Sequence, residues 1–252
     1  MLAELLGAET FGFLLVFARM GMLFSVAPAL GEQQVPARVR LALAVTVSFV
    51  TFLAVRGGLP DIPASPIALA GLVIGEILIG LMIGGSARLL LSALNVGGTV
   101  LAFQSSLAFT QQFDPTQGTQ AVITAGFMTM LGIVMIFATD LHLLLLEAVV
   151  TSYDLFPAGA RIPIADFASM VVDIVANSFL LGIQIAAPFL LFGLVFNIGL
   201  GFIARLMPQL PIFFVALPVN ISIGFVLLLV ALPAMMMWFL SHFETHILQL
   251  IG

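Results

Sequence analysis

The chain has 252 residues, of which 62% are hydrophobic and only 8% charged, with a mean hydropathy of +1.27 and a formal net charge of −5. Soluble domains carry about 25% charged residues, so lipid has to cover much of this surface. With no cysteine there is no disulfide or thiolate metal site; the seven cations, all scattered arginines, and the isolated acids exclude a nucleic-acid face and an acidic tail.

The apolar stretches are long and continuous rather than alternating, which predicts membrane helices and not a barrel. The first is Phe11–Ala29, carrying Arg19. It follows Glu4 and Glu9 instead of a basic segment, so it is expected to stay in place as a helix. A polar loop from Gly31 through Pro36, Arg38 and Arg40 leads to Leu41–Val55, which is short for the ~20 residues of a span. Gly57–Pro63 reads as a rigid turn. Ile67–Ile83 is the third region, followed by the less apolar Phe103–Gln120 stretch. Ala121–Val150, Val171–Gly201 and Ile212–Leu240 complete a set of six, with turns at 156–163 and at Met207–Pro211. Pro188, Pro218 and Pro233 are candidate kinks. No fixed-period repeat is present. With six spans, Arg38, Arg40, Arg88 and Arg205 fall on one side and Arg56 and Arg161 on the other. That places the first set in the cytoplasm and both termini outside.

Arg19, Glu76, Asp140, His142, Glu147 and Asp173 lie in or near apolar runs, where a central charge costs about 2.5–3.5 kcal/mol. Such residues serve an ion or proton relay, or else they pair helix to helix or belong to a run that never sits deep in lipid. The latter two readings are preferred, because no acid recurs at matched positions of two halves. Gly71 with Gly75, and Gly80 with Gly84, are spaced to let another backbone come close. His242 and His246 share a helix face but lack a third ligand, so no metal is expected. His142 and Glu147, five apart, fall on different helix faces and make no catalytic pair. No nucleophile–base pair or phosphate loop is present, and the chain reads as a non-enzyme without a cofactor.

The stretch 103–120 sets Phe103, Phe109 and Phe113 among Gln, Ser and Thr, with the turn signal Asp114-Pro115. It is too polar to face lipid and too apolar for an exposed loop. Phenylalanines can dewet a constriction, while neutral polar groups do not trap cargo. A pore lining and a buried connecting loop are both compatible with this composition.

Three stretches resemble the FliR family of flagellar type III export proteins. One is Pro28–Gly31 running into Val35-Pro36-Ala37-Arg38-Val39-Arg40. Another is Gly75-Glu76 through Gly80, followed by Phe109, Phe113, Asp114 and Pro115. The third is Arg205 through Pro208, Gln209 and Pro211 to Phe213, then Pro218 and Gly224. The chain departs from the family where Pro211 replaces a common Asn and Leu217 a common Gly. The resemblance covers nearly the whole length. It implies an all-α polytopic membrane protein forming one export-gate domain over 1–252. Residues 1–170 would be FliP-like and 171–246 a FliQ-like helical hairpin. It implies a bacterial inner-membrane subunit of the flagellar basal body that forms a pore with FliP-like and FliQ-like chains, beside FlhB-like and FlhA-like components, and passes unfolded flagellar proteins. By position 103–120 would be the pore plug, with Phe109, Phe113, Asp114 and Pro115 gating. Gly71, Gly75, Glu76, Gly80, Arg205, Pro208, Gln209 and Pro218 would serve assembly. A virulence-secretion homologue shares this expectation. A small-solute transporter using Glu76, Asp140 or Asp173 is the competing class.

Overall fold

The computed structural model describes residues 2–28, 30–32, 35–108, 123–160, 164–209 and 211–251. They form an all-helical protein, with no strand among the described residues. The helices are α1 (Leu2–Val26), α2 (Ala37–Val55), α3 (Pro66–Gln104), α4 (Ile123–Ala138), α5 (Leu141–Leu155), α6 (Ile164–Leu206) and α7 (Ile212–Ile251), with a 3-10 turn at Arg56–Gly58. Five are long and apolar enough to cross a membrane, and α4 with α5 make a sixth if the bent pair counts as one span.

Three of the sequence expectations change. The third apolar region was expected to end near Ile83, but α3 continues as one 39-residue helix to Gln104. Arg88 therefore lies inside α3, not in a loop. Its guanidinium reaches the Val26 carbonyl at 3.3 Å and Glu32 at 3.7 Å, so it still stands beside the α1–α2 connection. The fourth region is not one run. It breaks at Thr139–Asp140 and bends by 72°. Asp140 takes a left-handed conformation at φ 59°, which Asp tolerates better than most residues. By contrast α6 and α7 run unbroken through Pro188, Pro218 and Pro233.

The described chain forms two compact units. The first comprises Met1–Leu89, Ile136–Val175 and Phe243–Gly252. Within it α1 lies along α2, where Phe13 meets Phe49 and Phe52 edge to face at 6.5 and 6.2 Å. α1 crosses α3 at glycine. A Cβ on Gly80 would strike the Arg19 carbonyl oxygen, and one on Gly84 would lie 3.3 Å from the Ala27 nitrogen. Leu15, Val16, Met20 and Leu23 of α1 and Ile83 and Ala87 of α3 are buried.

The second unit comprises Leu90–Met135 and Ala176–His242. Here the later half of α3 meets α6 through facing glycines. A Cβ on Gly97 would be 3.2 Å from the Gly182 carbonyl oxygen, and one on Gly182 would be 2.8 Å from that of Ala93. α4 approaches α3 at Gly98, where a Cβ would stand 2.6 Å from the Ala125 Cα. Leu94, Leu101, Met128, Phe189 and Phe239 fill this unit's interior.

Gly80→Val places a branched side chain where the α1 backbone runs. Overpacking of this kind costs about 1–3 kcal/mol. The variant is expected to lose several degrees of thermal stability in detergent, read by differential scanning fluorimetry. The same change at Gly71, where an added Cβ meets nothing within 4 Å, is expected to leave the melting point of the isolated chain unmoved.

Candidate functional site

Arg19 sits two-thirds of the way along α1, in an otherwise apolar stretch, and it is completely buried. A lone guanidinium there needs a partner, and the first unit supplies several. Its Nε donates to Glu76 Oε2 of α3 at 2.6 Å. One terminal nitrogen donates to Ser152 Oγ of α5 at 2.8 Å, and the other to the Phe156 carbonyl at 2.9 Å. The Tyr153 ring lies beneath the cation, 3.7 Å from Cζ to the ring centre. Ser152 in turn donates to the Val149 carbonyl at 2.6 Å. Phe156 is the C-cap of α5, so its carbonyl belongs to the negative end of a helix and accepts a cation readily.

This arrangement consumes its own charges. Glu76 is 2% exposed and engaged by Arg19. Helix-to-helix pairing is thus the role that the contacts give to these two residues. The other ionisable side chains singled out from the sequence do not join them. Asp140, Glu147 and Asp173 are exposed. His142 lies against Phe137, with ring centres 4.9 Å apart. His242 Nδ1 lies 2.9 Å from the Trp238 carbonyl of its own helix. No group of three or more His, Asp or Glu side chains stands in metal-holding reach among the described residues.

A second polar arrangement lies in the second unit, at the end of α3. The Asn220 side-chain amide on α7 donates to the Gln104 carbonyl at 3.1 Å and bonds Ser106 Oγ at 2.7 Å. Ser106 has φ 57°. Ser105 Oγ donates to the Leu101 carbonyl at 2.7 Å. Two glycines make room for this turn. A Cβ at Gly193 of α6 would collide with the Gln104 side chain, and one at Gly224 of α7 would be 2.5 Å from the Ser105 Cβ. At the start of α4, Thr124 Oγ1 donates to the Gly98 carbonyl at 2.9 Å.

Phe109, Phe113, Asp114 and Pro115 lie outside the described residues. Phe103 and Gln104, which opened the expected pore stretch, belong to the last turn of α3. Gly71 faces open space, Gly75 precedes Glu76 on α3, and Gly80 lies under α1. Arg205, Pro208 and Gln209 are exposed where α6 gives way to α7, and Pro218 is inside α7. The sequence reading missed Ser152, Tyr153, the Phe156 carbonyl and Asn220. For Asn220 a signal existed: an amide in the middle of an apolar run has to be satisfied by something.

Buried polar anchors within long apolar helices define a multi-pass helical membrane protein. The family described as bacterial export proteins, family 1, matches residues 10–246, and the chain belongs to it. The flagellar biosynthetic protein FliR of Caulobacter vibrioides is 40% identical over 225 residues, covering 89% of this chain and 90% of the relative. FliR of Escherichia coli K12 is 29% identical over 237 residues, covering 93% and 88%. FliR of Bacillus subtilis is 27% identical over 223 residues, covering 87% and 85%. The family is therefore that of FliR, as the sequence resemblance implied.

Removing one member of the buried pair leaves the other uncompensated, at a cost of about 3–5 kcal/mol. Arg19→Met and Glu76→Met are each expected to lower the yield of folded protein severely. The double variant is expected to recover much of it, because apolar residues of similar volume often replace a buried pair at little cost. Thermal melts of the four proteins measure the coupling. Additive losses would show that the two side chains act independently.

Proposed function

We propose that the chain is a pore-forming subunit of the flagellar type III export gate, assembling with FliP-like and FliQ-like chains to pass unfolded flagellar proteins across the bacterial inner membrane. The observation that carries this reading is the family match over residues 10–246, with relatives that bear the flagellar name. In this reading residues 1–170 are the FliP-like part and 171–246 the FliQ-like hairpin, whose connection is the Met207–Pro211 break. FlhB-like and FlhA-like components adjoin it in the basal body, and the chain performs no covalent chemistry.

The architecture supports an assembled role. At ~1.5 Å per residue, α3, α6 and α7 are each about 60 Å long, roughly twice the ~30 Å hydrocarbon core. Upright in a bilayer, each would reach well beyond it, where only other protein chains or water could cover it. Their surfaces are nonetheless apolar: Phe214, Leu229 and Val230 on α7 are at least 75% exposed. Ordinary protein–water contact does not suit such faces. Arg205, Pro208 and Gln209 are exposed and so available for contacts between subunits. The aromatic, neutral-polar stretch that follows α3 has the composition of a pore plug, with Phe109 and Phe113 as its apolar stoppers beside Asp114 and Pro115.

Co-expression with its neighbouring genes, purification in mild detergent and native mass spectrometry test the assembly. A mixed complex with FliP-like and FliQ-like chains is expected, and a stable monomer or homodimer would overturn it. Within the complex, replacing Phe109 and Phe113 together by Ala is expected to make the membrane leak ions. Normal conductance and growth would remove the plug assignment while leaving the assembly intact.

A further inference from the structure

The end of α3 is held by side chains and gaps that no property of α3 itself requires. A helix terminus leaves carbonyls without intrahelical partners. At Gln104 the carbonyl accepts from the Asn220 amide, 116 positions away on α7. Two residues on, Ser106 turns into the left-handed region, which a residue with a Cβ avoids unless neighbours hold it there. The same Asn220 nitrogen holds it, through Ser106 Oγ. Between them, Ser105 is buried and lies over the space left by Gly224, while the Gln104 side chain occupies the space left by Gly193. Three consecutive residues are thus fixed by two other helices.

The chemistry at Asn220 is directional. A carbonyl oxygen only accepts, so the atom facing Gln104 has to be the amide nitrogen. Asn220 is 7% exposed on an apolar helix; its nitrogen is paired, at a position where an unpaired donor would be costly, while its Oδ1 has no hydrogen-bond partner among the described residues. We propose that Asn220 is the positioning residue that terminates α3 and sets the direction in which the chain leaves it. Its consequence for conductance rests on the reading of the following stretch as a pore plug; its effect on the end of α3 does not.

Two variants test this in the complex purified with its partner subunits. Asn220→Leu keeps the branched shape and removes both hydrogen bonds. Asn220→Ala removes the same two bonds without adding bulk. The readout is hydrogen exchange at the Ser105 and Ser106 amides, which bond to the Leu101 and Phe103 carbonyls at 2.9 and 3.3 Å. Loss of the anchor is expected to speed their exchange about tenfold with α1 and α2 unchanged, and Asn220→Leu is expected to leak ions. A further variant, Asn220→Leu with Ser106→Gly, is expected to reduce the leak, since glycine adopts the left-handed turn unaided. Unchanged exchange in either variant overturns the proposal, and where Asn220→Leu does not assemble, Asn220→Ala decides. Faster exchange alongside a non-leaking Phe109/Phe113 double variant would uphold Asn220 as the terminator of α3 and remove the plug reading. Leak from the phenylalanine variant with undisturbed exchange in Asn220→Leu would do the reverse.

Discussion

The first unit depends on one buried cation. Arg19 joins α1 to α3 through Glu76 and to α5 through Ser152 and the Phe156 carbonyl, with Tyr153 beneath it. In a low-dielectric interior such a pair repays its desolvation only when geometry is good and the remaining donors are satisfied. Three nitrogens of the guanidinium find acceptors here. The glycine at position 80 is part of the same device. It lies one helical turn beyond Glu76, and its missing Cβ lets the Arg19 carbonyl approach the α3 backbone. Close approach at Gly80 and the short contact at Glu76 are two consequences of one helix crossing.

The second unit solves a related problem with small residues and neutral amides. Lipid tails are as apolar as leucine, so helices in a membrane gain little from hydrophobic burial against one another. Packing has to come from close backbone approach and from satisfied polar groups. Gly97, Gly98 and Gly182 supply the approach, and Thr124 and Asn220 supply bonds to backbone carbonyls. Each of these residues is inexpensive to insert singly and useful only once its partner helix is in place.

Much of the architecture was legible in the residues. Continuous apolar runs marked all the long helices, and the Met207–Pro211 cluster marked where α6 gives way to α7. The two misjudged places have opposite causes. Hydropathy read the end of α3 at Ile83 because Gly84, Gly85, Ser86, Arg88 and Asn95 follow. Yet Ser86 is buried and donates to the Ile83 carbonyl, and Arg88 finds Glu32. Polar and small residues that would end a lipid-facing helix are tolerated, even useful, on one that faces protein. The break at Asp140 was hidden for the converse reason: a single acid flanked by strongly apolar residues does not interrupt a hydropathy average, although its backbone leaves the helix.

By itself the sequence determined the class of protein, the helical character, the family, and the fact that Arg19 and Glu76 needed partners. The family follows from the resemblance of its motifs; the rest follows from composition, the length of the apolar runs and the cost of charge in an apolar medium, all of which are local. Only the tertiary structure decided which partners they have. Arg19 meets Glu76 across 57 positions and Ser152 across 133, and Asn220 meets Gln104 across 116. Nothing in a linear pattern encodes which of several polar residues will face one another, because that is set by how helices cross, and the crossings are set by where a side chain is missing.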